Sequence, residues 1–92
     1  MEFNLKGQTA VVTGGTRGIG RGVSEALLKA GAKVVATYQS NEKAAKEFEK
    51  SNKEHSGSLD IRSFDVTKYE QVEHFYHYVE QTYGEFQILV HC

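Results

Sequence analysis

The chain has 92 residues and a formal net charge of −1, with 25% charged and 39% hydrophobic residues. That is one small domain of ordinary globular composition, and its near-neutral balance gives neither the basic footprint of a nucleic-acid binder nor a basic block for a membrane surface. One cysteine, Cys92, allows no internal disulfide; no apolar run nears the roughly 20 residues of a membrane span, and Met1 to Lys6 lacks the pattern of a secretory leader, so the expected setting is a reducing cytoplasm.

Residues 9–13 (Thr-Ala-Val-Val-Thr) are short, apolar and β-branched, and glycines follow at once. They read as a buried strand. Ile19, Val23, Ala26, Leu27 and Ala30 then recur at helical spacing and predict one apolar stripe, with Gly31 as the stop. Residues 33–38 (Lys-Val-Val-Ala-Thr-Tyr) predict a second strand. Residues 41–51 are rich in Ala, Lys and Glu and predict an exposed helix with a thin stripe at Ala45 and Phe48. Residues 52–58 read as a polar loop. A third strand is expected over 59–64. Thr67 followed by Glu70 has the spacing of a capping box, ahead of a helix whose stripe is Val72, Phe75, Tyr76, Val79 and Tyr83, ended by Gly84. Residues 87–91 predict a fourth strand.

The order β-α-β-α-β-α-β implies an α/β fold with a parallel sheet covered by helices on both faces. Right-handed crossovers restrict the topology. A Rossmann-type doubly wound sheet with strand order 3-2-1-4 is the expectation, and 1–92 reads as a single nucleotide-binding portion.

The run Thr13-Gly14-Gly15-Thr16-Arg17-Gly18-Ile19-Gly20 lies between the first strand and the first helix. A helix N-terminus presents unpaired amides and positive dipole charge, so it attracts phosphate. Gly14 is expected to make the tight turn, and Gly18 and Gly20 to permit close approach of a pyrophosphate and close packing of helix on strand. The spacing is Gly-x-x-x-Gly-x-Gly, and no Gly-Lys-Ser/Thr follows, so this is not a Walker loop. Thr13 is expected to fix the turn.

These residues resemble the Thr-Gly-x-x-x-Gly-x-Gly signature of the short-chain dehydrogenases/reductases, with the nearest likeness to 3-oxoacyl-[acyl-carrier-protein] reductases. Gly31-Ala32-Lys33-Val34-Val35, Phe64-Asp65-Val66-Thr67 and Gly84-Glu85-Phe86-Gln87-Ile88-Leu89-Val90 carry the likeness across nearly the whole chain. The resemblance implies an NADP(H)-binding portion, with Gly14, Gly15, Thr16, Arg17, Gly18, Ile19 and Gly20 on the phosphates. An NAD site commonly carries an acid at the end of the second strand. Here Thr37-Tyr38-Gln39-Ser40 has none, so Tyr38 and Gln39 would not repel a 2′-phosphate. The resemblance implies that Arg17 holds that phosphate, for which a guanidinium fork is well shaped. It also places Asp65 and Val66 at the adenine, and His91 and Cys92 at the cofactor groove.

The chain departs from the family at two places. His91-Cys92 stands where relatives have two asparagines. His91 reads as structural and Cys92 as a small buried side chain. The family's catalytic Tyr-x-x-x-Lys does not occur: Tyr38, Tyr69, Tyr76, Tyr78 and Tyr83 are followed at that spacing by Glu42, Glu73, Glu80, Thr82 and Gln87. His74 and His77 have a spacing that suits zinc, but lack two further ligands and, with Glu73, Tyr78 and Glu80, read as a solvated face. The expectation is therefore a cofactor-binding part, inactive alone, of an NADP(H)-dependent oxidoreductase that reduces a 3-oxoacyl thioester and assembles as a homotetramer. A complete, non-catalytic dinucleotide-binding module is the alternative, and the glycine spacing disfavours a flavodoxin-like protein. An unpaired fourth strand would promote self-association.

Overall fold

The computed structural model describes residues 4–92. Met1, Glu2 and Phe3, part of the stretch read for a leader, lie outside the described residues. Strand β1 spans Thr9–Thr13 and is buried along its whole length. Helix α1 spans Gly18–Lys29. Its end is closed by two bonds, from the Gly31 amide to the Leu28 carbonyl at 3.0 Å and from the Ala32 amide to the Leu27 carbonyl at 3.1 Å, the paired closure of a Schellman turn. Strand β2 spans Lys33–Tyr38. Helix α2 spans Glu42–Ser51, and the Asn41 side chain caps it by accepting from the Ala44 amide at 3.0 Å. Strand β3 spans Leu59–Ser63, helix α3 Tyr69–Tyr83 and strand β4 Ile88–His91.

The four strands form one parallel sheet in the order β3-β2-β1-β4, as expected. Side chains alternate across a strand, and β1 feeds two cores. Ala10 and Val12 pack with Leu28 of α1, Val34 and Ala36 of β2, and Phe48 of α2. Val11 packs on the other face with Val35, Phe64, and Phe75 and Val79 of α3. Phe64 and Phe75 stack with ring centres 4.6 Å apart. Helices α1 and α2 thus cover one face and α3 the other. The chain moves outward from β1 to β3, then crosses back to β4 on the far side of β1. The C-terminal ends of β1 and β4 therefore flank the switch point at which open α/β sheets take their ligands.

Several expectations are corrected. Ile19 is 83% exposed and not part of the α1 stripe; Ala26 is exposed too. The buried residues of α1 are Gly20, Ser24 and Leu28; at its start the helix lies so close to the Gly14–Gly15 turn that only the small Gly20 and Ser24 fit there. Residues 52–58 are not an open loop: Lys53–Ser58 form a short 3-10 helix, and Asn52 is buried, donating to the Phe48 carbonyl at 2.9 Å and to Glu25 at 3.0 Å. Thr67 and Glu70 form no capping box. The N-cap of α3 is Lys68, without a side-chain cap, and the Thr67 hydroxyl turns back to Asp65. Tyr78 does not belong to a solvated face: its hydroxyl donates to Asp60. Strands β3 and β4 are each one residue shorter than expected.

Candidate functional site

The turn after β1 is tied to β2. The Gly15 amide donates to the Thr37 carbonyl at 3.0 Å, and the Gly14 amide lies 3.4 Å from Thr37 Oγ1. Gly14 has φ 68 and Gly18 φ 59, left-handed conformations that L side chains adopt at a cost. Gly15 and Gly20 serve a different need. A Cβ on Gly15 would lie 2.8 Å from both Ser24 Oγ and the Val12 carbonyl oxygen, and one on Gly20 would lie 2.0 Å from the Gly14 carbonyl oxygen. Ser24 Oγ donates to the Gly15 carbonyl at 3.0 Å, which pins α1 to the turn. Gly15 and Thr16 are buried, whereas Gly14, Arg17, Gly18 and Ile19 are exposed.

The first bond of the α1 ladder runs from the Arg21 amide to the Arg17 carbonyl at 3.1 Å. The amides of Gly18, Ile19 and Gly20 precede that ladder, where a helix leaves its donors unpaired. A Cβ on Gly18 would meet nothing within 4 Å, so the space in front of this helix end is open. Arg17 takes an extended backbone as the N-cap and makes no side-chain cap. No ion pair engages it among the described residues. A helix end with free amides, bare glycine backbone and an uncommitted guanidinium fits an anionic diphosphate.

Beside this helix end the strand termini enclose a cavity of about 150 Å³, whose lining includes Gly14, Tyr38, Gln39, Val66, His91 and Cys92. Six of the residues picked from the sequence are thus brought together from four separate segments. Thr13, Thr37 and Phe64 complete the wall and were not singled out as site residues. Thr37 had a signal, since it is a polar residue at the carboxyl end of an otherwise apolar strand. Arg17, Ile19 and Asp65 do not line this cavity. Asp65 Oδ1 accepts from the Thr67 hydroxyl at 2.6 Å and from its amide at 2.9 Å. Those two bonds outweigh a small effect of desolvation and, with Lys68 nearby, hold the Asp65 carboxyl below the usual carboxylate range.

Cys92 is exposed, not buried as expected, although its amide still donates to the Thr13 carbonyl at 3.2 Å. Thr13 joins strands instead of fixing the turn: its Oγ1 lies 2.8 Å from His91 Nδ1 and 3.4 Å from the Val90 carbonyl oxygen. Among the described residues there is no group of three or more His, Cys, Asp or Glu side chains placed to hold a metal, and no helix is long and apolar enough to cross a membrane.

Known proteins resemble this chain in sequence and in fold. The family model for short chain dehydrogenase matches residues 8–92. The chain is 37% identical over 86 residues to 3beta-hydroxysteroid dehydrogenase 2 of Eggerthella lenta, covering 94% of this chain and 33% of that protein. It is 39% identical over 88 residues to hydroxynaphthalene reductase-like protein Arp2 of Metarhizium guizhouense, covering 95% and 33%. Among solved structures, a Bacillus thuringiensis protein carrying the provisional description 3-oxoacyl-reductase superposes with a TM-score of 0.85 at 30% identity, over 91% of this chain and 35% of that one. The chain thus spans about a third of the length of the curated relatives it matches.

Proposed function

The chain belongs to the short chain dehydrogenase family, and from that premise we propose that it is the cofactor-binding part, residues 1–92, of an NADP(H)-dependent cytoplasmic oxidoreductase. The nicotinamide ring supplies the hydride equivalent when bound. The chain's own residues bind and orient the dinucleotide. Gly14, Gly18 and the amides at the start of α1 take the diphosphate, with Gly15, Thr16 and Gly20 shaping the turn from beneath and Ile19 flanking it. Arg17 takes the 2′-phosphate beside Tyr38 and Gln39. Asp65 and Val66 flank the adenine, and His91 and Cys92 line the groove.

The observation that carries this reading is the pairing of an uncommitted Arg17 at the helix end with a β2 terminus, Tyr38-Gln39-Ser40, that holds no acid. An acid there would favour the ribose 2′-hydroxyl of NAD. The names of the similar proteins agree on dehydrogenase or reductase chemistry and differ in substrate. Reduction of a 3-oxoacyl thioester by the whole protein is the substrate reading supported by the Bacillus thuringiensis structure. A homotetramer is the assembly expected of it. Titrating the chain with NADPH and NADH tests the cofactor reading directly. Tighter binding of NADPH is expected, and equal or reversed preference would overturn the assignment of Arg17.

A further inference from the structure

His91 ends β4 and carries an imidazole at the mouth of the cavity. Its ring is exposed and lines the cavity with Gly14, the residue that opens the phosphate turn. Register fixes it there, since His91 pairs with Thr13 across β1 and β4. No lysine or arginine lines this cavity among the described residues, so His91 is the lining side chain that can become positive. Imidazoles change charge within about pH 5 to 8.

The Thr13 hydroxyl accommodates both states of that ring. It is 2.8 Å from His91 Nδ1 and 3.4 Å from the Val90 carbonyl oxygen. With a neutral ring protonated at Nε2, Thr13 donates to Nδ1. With a charged ring, Nδ1–H donates to Thr13 and the hydroxyl turns its own proton to Val90, since a hydroxyl both donates and accepts. Protonation therefore places a cation on the cavity wall without breaking the contact that orients the ring. The other titratable groups on that wall are the Tyr38 phenol, from the end of β2, and the Cys92 thiol beside His91. Asp65, between the lining residues Phe64 and Val66, is bonded to Thr67. Phenols and thiols change charge at higher pH than imidazoles.

Resting on the cofactor reading above, we propose that His91 is a proton-dependent contact to the phosphates of a bound dinucleotide, its charged form strengthening binding and its neutral form not. The test measures NADP+ affinity of the chain and of His91→Asn at pH 8.0 and 5.5 by calorimetry. The ligand's own protonation cancels between the two proteins. The unaltered chain is expected to gain about fivefold more affinity than His91→Asn on acidification, the scale of one solvent-exposed charge pair. His91→Lys is expected to bind tightly at both pH values, and the His91 ring resonance, followed by NMR, to titrate at higher pH with NADP+ bound than without. No binding of NADP+ at all by a folded chain overturns the cofactor reading and this inference together. Binding with the same pH dependence in His91→Asn, or an unmoved ring titration, overturns this inference alone.

Discussion

The α-carbon of Gly20 lies so close to the backbone of Gly14 that a β-carbon there would stand 2.0 Å from the Gly14 carbonyl oxygen. The start of α1 is thereby pressed onto the turn that follows β1. The contact is backbone to backbone, so no rotamer change relieves it. Gly20→Ala is expected to cost about 3 kcal/mol or more, at the upper end of overpacking effects, measured by urea unfolding. Gly22 meets nothing within 4 Å and sits inside the same helix. Gly22→Ala is expected to gain about 0.5–1 kcal/mol from helix propensity. Equal effects of the two would show that α1 does not press on the turn.

Gly18 presents the opposite case, open space but φ 59. Gly18→Ala is expected to cost about 1–2 kcal/mol from backbone strain alone. A loss of NADPH affinity beyond that of an equally destabilised core variant would mark the bare backbone as part of the phosphate cradle.

Reversing charge at the helix end tests discrimination between coenzymes. Arg17→Glu is expected to lower NADPH affinity by about tenfold or more, since a charged hydrogen bond contributes about 1.5–3 kcal/mol. NADH affinity falls less, because only NADPH carries the 2′-phosphate. Fluorescence titration of the two coenzymes reads the ratio.

A carboxylate that does not line the cavity beside α1 is expected to make stability depend on pH. Asp60 of β3 accepts from the hydroxyls of Tyr78 and Tyr83, the latter at 2.6 Å, and from Arg62 Nε at 2.9 Å. Burial pushes its carboxyl up, but the hydrogen bonds from Tyr78, Tyr83 and Arg62 outweigh that and hold it below the usual range. Burial and the Asp60 bond in turn push the Tyr83 phenol well up. A depressed carboxyl stabilises the fold above its unfolded-state pKa, and that stability is lost as pH falls through the folded value. Asp60→Asn is expected to cost about 1–2 kcal/mol at pH 7 and almost nothing at the acid end, read from urea midpoints between pH 7 and pH 2. An unchanged difference across that range would show that the charge is not what matters.

Strand β4 pairs with β1 on one side, and Leu89 is 54% exposed. An open apolar edge invites pairing with another chain. The 92-residue chain is expected to self-associate with rising concentration, and Leu89→Lys to shift it toward monomer in sedimentation velocity. A compact monomer at all concentrations for the unaltered chain would show that β4 is adequately protected.

Much of this protein was determined by its sequence alone. The β-branched runs at 9–13 and 33–38, the glycine cluster between strand and helix, and Gly31 and Gly84 as stops are local signals. Each acts through the conformations available to a few neighbouring residues, so the element order and the site of the phosphate turn were legible without a structure. Tertiary packing decided the rest. Ile19 is solvent-facing because Gly20 and Ser24 are what the close approach of α1 to the Gly14–Gly15 turn admits, and a hydrophobic pattern does not register closeness. Asp65 holds the Thr67 hydroxyl as a donor, which turns its oxygen away from the unpaired amides at the start of α3 from which a cap would accept. The Asp60–Tyr78–Tyr83 cluster and the Thr13–His91 bond join residues 18 to 78 positions apart. Such contacts depend on strand register and on the face each side chain takes, which folding in three dimensions alone brings about.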